Sequence, residues 1–159
     1  MRYILFLLIT ITIISCDPNR IYEENRDMTN GEWIITEVPS FQFEIPDRDR
    51  KYNLYVNVRN SVAYDYHNIY FKYRLLDDGG TLVGEELINR DLFDQKNGHP
   101  LGSGVGDIFD HRLPLLENFT FSEPGLYTLE LTQYMRHDTL QNILSVGLRV
   151  ESSNEELDN

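Results

Sequence analysis

Residues 52–59 read YNLYVNVR, and this stretch decides the fold class. Leu54, Val56 and Val58 alternate with polar or aromatic side chains, which is the period of a strand with one buried face and one wet face. Such one-sided alternation is typical of antiparallel sheets. The same pattern recurs in four further stretches: Phe41 to Ile45, Ile69 to Leu75, Tyr127 to Leu131 and Leu144 to Val150.

The last alternating stretch reads LSVGLRVE at residues 144–151 and predicts which side chains enter the core. Because side chains two positions apart share one face of a strand, we expect Leu144, Val146, Leu148 and Val150 to face the core. The same register places Arg149 and Glu151 in solvent.

Turn signals separate the alternating stretches: Pro46-Asp47, Asp77 to Gly80 and Pro124-Gly125. Weaker strand patterns occupy residues 81–86, 107–115 and 118–121, and no stretch of ten residues has a helical period. Short strands with frequent turns predict an all-β fold. We expect a single antiparallel β-sandwich of about eight strands in a jelly-roll or Greek-key arrangement.

The N-terminus has the features of a lipoprotein signal peptide. Residues 3–14 are uncharged, and a run of 12 is too short to span a membrane but fits a signal-peptide core. Ile13-Ile14-Ser15-Cys16 then follows the lipobox pattern, which predicts cleavage between Ser15 and Cys16 and attachment of diacylglycerol to the Cys16 thiol. Cys16 is the only cysteine, so lipid is the predicted membrane partner and an internal disulfide is excluded.

Four segments are therefore predicted. Residues 1–15 form the signal peptide, and residues 16–31 form a lipidated N-terminus and polar tether that lets the domain stand off the membrane. Residues 32–151 form the β-sandwich domain. Residues 152–159 form an acidic disordered tail.

The mature chain is strongly acidic. Removing residues 1–15 takes away Arg2 alone, which leaves 13 basic against 26 acidic residues and a net charge of −13. Because phosphate contacts come from lysine and arginine, this charge excludes nucleic acid as an expected partner.

The chain resembles the GldH gliding motility lipoprotein family of the Bacteroidetes. The resemblance begins at Ser15 to Arg20 and is most specific in LGSGVGDI at residues 101–108. It continues through the strand at residues 52–59 and the second aromatic strand at 68–75. It closes with PGLYTL, QYMR and VGLRV at residues 124–129, 133–136 and 146–150.

The resemblance implies a cell-envelope lipoprotein that supports gliding, a process coupled to a dedicated outer-membrane secretion system. We expect it to be lipid-anchored, on the outer membrane and facing the periplasm, with other gliding or secretion envelope proteins as partners. The family has no established enzyme chemistry, so no catalytic residue, metal or cofactor is implied. Only Cys16 carries over, as the lipidation site.

The glycine-rich segment Gly102 to Gly106 has two interpretations. A phosphate loop needs a preceding strand, a following helix and a cation, and these are not predicted here. We therefore expect a strand edge or bulge in which Gly102, Gly104 and Gly106 allow positive φ angles and close backbone approach.

Three further candidate sites remain open. Asp107, Asp110 and His111, with His67 and His99, carry metal-ligand side chains but match no known spacing. Tyr55, Tyr64, Tyr66 and Tyr70 are candidates for a sugar-stacking platform, which makes a carbohydrate-binding envelope lipoprotein the alternative function; ordinary cross-strand aromatic pairing also explains them. Thr139, in Asp138-Thr139-Leu140 at a predicted hairpin tip, is a candidate O-glycosylation site. No Ser-His-Asp or Cys-His arrangement is readable, so an enzyme is not expected.

Overall fold

The computed structural model describes residues 17–153, and within them the chain forms eleven strands and one short 3-10 turn, Thr29–Gly31. No helix in this part of the chain is long and apolar enough to cross a membrane. The predicted signal peptide, Cys16 and residues 154–159 lie outside the described residues. The strands are β1 (Arg20–Asp27), β2 (Glu32–Ile34), β3 (Ser40–Ile45), β4 (Tyr52–Ser61), β5 (Asn68–Asp77), β6 (Leu82–Asp91), β7 (Ser103–Val105), β8 (Ile108–Phe119), β9 (Gly125–Gln133), β10 (Thr139–Gln141) and β11 (Ile143–Ser152).

The strands form two main antiparallel sheets that pack face to face. The first sheet has the order β1-β11-β4-β8-β7 and the second has the order β3-β9-β5-β6, while β2 and β10 form a small ribbon. Eight of the described strands have six residues or more. When these eight are numbered again in chain order, strands 1, 8, 3 and 6 form the first sheet and strands 2, 7, 4 and 5 form the second. This is the strand order of a jelly roll, so the predicted all-β sandwich is confirmed.

The core lies between the sheets and is filled by the side chains that the alternating stretches predicted. Leu54, Val56 and Val58 of β4 are at most 1% exposed, and Phe41, Phe43 and Ile45 of β3, in the second sheet, are at most 2% exposed. Trp33 of β2 is fully buried, and its indole N–H donates to the Glu37 carbonyl at 3.0 Å. Burial of these large apolar side chains, each contributing about 1.5 to 3 kcal/mol, is the main driving force for folding.

Strand register defines two ends of the sandwich. At the end we call proximal, Tyr52 pairs with Ser152 and Phe119, and Arg20 pairs with Glu151. The opposite end, which we call distal, carries Ser61 paired with Ile108 and the loop at residues 134–138. The start of the described chain at Asp17 therefore lies at the proximal end.

The polar tether predicted for residues 16–31 is wrong for most of its length. Residues 20–27 form β1, an edge strand that pairs with β11 from Arg20 opposite Glu151 to Asp27 opposite Ser145. Edge pairing is made by backbone groups, and β1 buries too little side chain for an apolar alternation to show in its sequence. The strands of the domain therefore run from Arg20 to Ser152, one residue beyond the predicted boundary.

The predicted register of β11 is correct from Val146 onward and wrong at Leu144. Val146, Leu148 and Val150 are fully buried, whereas Leu144 is only partly buried. The pairing of β11 with β4 shifts between Ile143 and Ser145, and such an irregularity moves the preceding side chains to the other face. Ile143 takes the buried position that the sequence pattern assigned to Leu144.

The glycine-rich segment forms a strand edge, as predicted. Ser103–Val105 is β7 and pairs with the start of β8 at the edge of the first sheet. Gly106 has a φ angle of +67°, but Gly102 and Gly104 do not adopt positive φ. Gly104 is required instead by close approach, since a Cβ there would meet the Ile108 carbonyl and lie 2.6 Å from Cδ1 of Phe109.

Leu148→Ala should lower the free energy of unfolding by about 2 to 5 kcal/mol, because it leaves a cavity in the core between the two sheets. Leu126→Ala is the matched control, since Leu126 is 40% exposed and should change stability by less than about 0.5 kcal/mol. Urea denaturation followed by far-ultraviolet circular dichroism measures both. Equal losses in the two variants would contradict the register of β11.

Gly104→Ala should destabilise the domain by about 1 to 3 kcal/mol, because the added methyl overlaps the β8 backbone. Gly84→Ala tests the same change at a position where the nearest atom to the new Cβ is the Tyr73 hydroxyl at 3.7 Å. That control should keep the wild-type melting temperature. A Gly104→Ala protein with an unchanged melting temperature would show that β7 does not sit against β8 in this way.

Candidate functional site

The most unusual group in the described chain is a buried cation on the outer face of the first sheet. Arg149 points away from the core, between Glu23 of β1 and Tyr55 of β4, yet its side chain is only 4% exposed. The expectation that Arg149 faces solvent is therefore wrong. Glu151, the second residue expected in solvent, is largely covered as well, with a side chain 18% exposed. The neighbouring β1, which the sequence pattern did not predict, supplies the groups that cover this cation.

Three carboxylates surround the guanidinium group. Arg149 Nη1 donates to Glu23 Oε2 at 2.6 Å, Nη2 donates to Asp17, and Nε donates to Glu151. Burying a cation is costly unless its charge and its donors are satisfied, and here each nitrogen has a carboxylate partner. The buried arginine therefore ties together Asp17, the first strand and the last strand.

Two further arginines balance the charge of this group. Arg20 donates to Glu23 at 3.1 Å, and Arg112 Nη1 lies 3.6 Å from Glu151. Asn57 of β4 also donates to Glu23, at 3.0 Å. We call Asp17, Arg20, Glu23, Arg112, Arg149 and Glu151 the Arg149 cluster; it holds three cations and three carboxylates.

The cluster keeps its carboxylates ionised. Burial opposes ionisation of Asp17, but the Asn19 N–H and the Arg149 guanidinium outweigh it and hold the pKa of Asp17 below its ordinary value. The pKa of Glu23 is also lowered, since hydrogen bonds from Arg20, Asn57 and Arg149 overcome the desolvation of its carboxylate. The pKa of Arg149 is raised: burial disfavours its charge, but Glu151 and Glu23 more than compensate.

Backbone hydrogen bonds fix the residues between the cluster and β1. The Arg20 N–H donates to the Asp17 carbonyl at 3.3 Å, and the Asn19 N–H donates to the Asp17 side chain at 3.3 Å. The Ser152 N–H donates to the Asn19 carbonyl at 2.8 Å. The chain is therefore held against the proximal end of the sandwich from Asp17 onward.

The candidate metal ligands are not brought together by the fold. Asp110 accepts two hydrogen bonds from Arg59, at 2.7 and 3.2 Å, on the outer face of the first sheet. His111 lies on the opposite face of β8, where it is 4% exposed and its ring centroid is 6.4 Å from that of Phe93. Burial lowers the pKa of His111 against the opposing effect of Asp110, so it is neutral at pH 7. Among residues 17–153, no group of three or more His, Cys, Asp or Glu side chains is placed to hold a metal.

A cleft of about 660 Å³ opens at the distal end, beside the second sheet. Its walls include Tyr66, Tyr70, Tyr134 and Met135, with the polar groups of Arg136 and His137 at one side. The rings of Tyr66 and His137 lie 6.2 Å apart, and Tyr134 is 58% exposed. The cleft therefore combines exposed aromatic surface with one arginine and one histidine.

Only two of the four tyrosines proposed as a sugar platform share this cleft. Tyr66 and Tyr70 line it, but Tyr64 is buried and donates to the Asn68 carbonyl at 3.1 Å. Tyr55 lies on the other sheet, beneath Arg112. Tyr134 was missed because it follows the last residue of β9, where strand alternation no longer indicates which way a side chain points.

Thr139, the candidate glycosylation site, begins β10 and is partly buried. It pairs with Ile34 of β2 just after the distal loop at residues 134–138. The residue therefore lies beside the tip of the connection and not at the tip itself. Cys16 and Ser15 lie outside the described residues.

Residues 20–150 match the GldH lipoprotein family. The chain is 30% identical over 156 residues to a gliding motility lipoprotein GldH homolog of Christiangramia forsetii, covering 94% of each chain. It is 27% identical over 154 residues to the gliding motility lipoprotein GldH of Flavobacterium johnsoniae, covering 92% of this chain and 94% of the relative. Both relatives match in length as well as in sequence.

Solved structures offer only a loose likeness. The VP2 subviral particle of infectious bursal disease virus superposes with a TM-score of 0.37 at 13% identity, over 82% of this chain and 30% of the viral chain. A likeness at this level carries no argument about function.

Arg149→Met should lower the free energy of unfolding at pH 7 by about 3 kcal/mol, the lower end of the range for a broken buried ion pair. The lower end applies because the Asp17 side chain is 42% exposed and water can replace part of the lost contact. Arg74→Met is the matched control: Arg74 pairs with Glu130 at 3.0 Å but is 49% exposed, so about 0.2 to 1 kcal/mol is expected.

The cost of Arg149→Met should also depend on pH. Asp17 and Glu23 have lowered pKa values in the folded state, so their stabilisation is complete above the ordinary carboxyl pKa of about 4 and is lost as the pH falls through the lower folded values. Urea denaturation at pH 7 and at about pH 3 should therefore show a smaller difference between wild type and Arg149→Met in acid. A difference that is constant with pH would contradict the ion-pair account.

Proposed function

Because the chain belongs to the GldH lipoprotein family, we propose that it is a non-enzymatic lipoprotein that supports gliding motility and the associated secretion machinery. It is lipid-anchored through Cys16 in the cell envelope, on the outer membrane and facing the periplasm. Its partners are other envelope proteins of that machinery. The names of both relatives, which each specify a gliding motility lipoprotein, support this role.

The observation that carries the proposal is the fixed position of Asp17. Arg149 binds the residue that directly follows Cys16, and β1 joins the first sheet only three residues later, at Arg20. Firm attachment of Asp17 to the sandwich suits a domain that is anchored to a membrane through the preceding residue and binds other proteins.

The surface chemistry supports a binding role over catalysis. The charged groups on the outer face of the first sheet neutralise one another, Arg59 with Asp110 and Arg149 with Glu23. A general base has to be within hydrogen-bond reach of a substrate proton, and these carboxylates are instead engaged by arginines. His111 is 4% exposed beside Phe93, so little of its ring reaches solvent.

Exposed apolar side chains at the distal end favour a protein partner. Val105 is 92% exposed, Leu101 is 58% exposed and Val62 is 51% exposed, and all lie in distal loops or hairpins. Exposed apolar side chains gathered at one end of a domain are a feature of protein interaction sites. The acidic mature chain, at −13, directs the binding toward protein and away from nucleic acid.

A carbohydrate-binding role is the second candidate, and the distal cleft is the observation that favours it. Tyr66, Tyr70 and Tyr134 expose aromatic surface there next to Arg136, and such rings stack on sugar faces. Saturable binding of a glycan that is lost in Tyr134→Ala, with motility retained, would favour this role. O-glycosylation of Thr139, at the same end, remains part of the proposal.

Cys16→Ser should abolish lipidation and motility function together, because a hydroxyl does not accept the diacylglycerol in this pathway. Metabolic labelling with an alkyne fatty acid measures lipidation. Deletion of the gene in a gliding host should impair colony spreading, the wild-type gene should restore it, and the Cys16→Ser gene should not. A deletion strain that spreads and secretes normally would contradict the motility role, and equal labelling of both proteins would contradict the anchor.

A further inference from the structure

We infer that the proximal end of the sandwich rests on the lipid headgroup surface, with the loop at residues 46–51 and the turn at residues 118–124 facing the bilayer. The inference rests on the proposed lipid anchor at Cys16 and adds the orientation of the domain and the surface that meets the membrane. It replaces the flexible stand-off tether that the sequence pattern suggested.

The connection between the lipid-bearing Cys16 and the folded domain is short. Consecutive Cα atoms are about 3.8 Å apart, so the lipid-bearing residue lies within one residue length of Asp17. Asp17 is held by Arg149, by the Arg20 N–H and by the Asn19 N–H. Because the acyl chains enter the bilayer, Asp17 has to lie close to the headgroups, and the rigid domain has to follow it.

Segments of both sheets lie at the proximal end of the sandwich, beside Asp17. The Ser153 N–H donates to the Lys51 carbonyl at 2.8 Å, and Ser153 Oγ donates to the Asn118 side chain at 2.8 Å. Ile45 pairs with Gly125 at the corresponding end of the second sheet. The β3–β4 loop and the β8–β9 turn therefore lie beside Asp17, and both sheets end at the same surface.

The charge of the proximal surface is compatible with contact with lipid headgroups. Residues 46–51 contain Arg48, Arg50 and Lys51 against Asp47 and Asp49, and residues 118–124 add Glu123, so the two segments together carry no net charge. The side chains of Arg48 and Arg50 are 55% and 65% exposed, and they pair with Glu123 at 3.4 Å and with Asp47 at 3.6 Å. In a chain of net charge −13, a surface without net charge is repelled less by anionic headgroups than the rest of the domain. Acidic residues follow Ser153 in sequence, so the lipid and not the loop supplies the binding energy.

The orientation determines which surface of the domain faces away from the membrane and is accessible to partners. Strands of ten residues rise about 3.3 Å per residue, so the distal end stands roughly 30 Å above the proximal end. The cleft lined by Tyr66, Tyr70 and Tyr134, and the exposed Val105, are thereby presented away from the membrane.

Hydrogen–deuterium exchange on the full lipidated protein tests the orientation. The protein is purified from membranes and reconstituted into vesicles of phosphatidylethanolamine with a minor fraction of phosphatidylglycerol, and the mature Cys16→Ser protein with the same vesicles is the reference. Amides at residues 46–51 and 118–124 should exchange several-fold more slowly in the lipidated protein. Amides at residues 97–107 and 134–138, at the distal end, should exchange at equal rates in the two proteins.

A linker variant provides the matched control. Inserting about twelve Gly and Ser residues between Cys16 and Asp17 keeps the anchor and every described residue, but it adds a flexible reach of roughly 20 Å. The proximal protection should then be lost. The inference is overturned by proximal amides that exchange equally with and without lipid, by protection at the distal end, or by protection that survives the linker.

The mass of the N-terminal peptide distinguishes a failure of the lipid-anchor hypothesis from a failure of the orientation hypothesis. A Cys16 without lipid overturns both the anchor and the orientation, whereas a lipidated Cys16 with unprotected proximal loops overturns the orientation alone. Colony spreading of the deletion strain is an independent measurement and tests only the motility role.

Discussion

The structure depends on the pairing of β11 with β1 on one side and β4 on the other. This pairing joins the two ends of the described chain in one sheet, and each face of β11 has a separate task. Leu148 and Val150 fill the core, while Arg149 binds the carboxylates of the outer face. Gly147 makes the approach of β1 possible, since a Cβ at that position would collide with the Asn25 side chain and lie 2.6 Å from the Glu24 carbonyl.

Most of the fold was predictable from the sequence because burial on one face of a strand leaves a period of two. The stretches around Phe43, Val56, Phe71 and Leu129 are strands with the predicted faces buried. The edge strand β1 was not predictable in this way, because its contribution is a backbone ladder and a set of charges. The prediction for Leu144 was wrong for a different reason. The irregular pairing between Ile143 and Ser145 leaves no mark in the alternation of apolar and polar residues.

The candidate site shows the same division between local and long-range information. Cys16 and its lipobox are local, and the sequence is enough to propose them. The Arg149 cluster joins residues separated by 126 and 132 positions, so only the fold reveals it. Likewise, Tyr64 and Tyr66 are two residues apart in sequence, but Tyr64 is buried in the core while Tyr66 lines the distal cleft.

The direction of β1 gives the proposed anchor a mechanical consequence. The lipid proposed at Cys16 precedes β1 in the chain, and β1 runs from the proximal end toward the distal end. A pull on the lipid therefore acts along the axis of β1, which loads its whole hydrogen-bond ladder with β11 at once instead of opening one bond at a time. The three carboxylates on Arg149 add charge-assisted bonds at the point where the load enters the domain. An edge strand with little side-chain burial can thus hold the connection between a membrane and a folded domain.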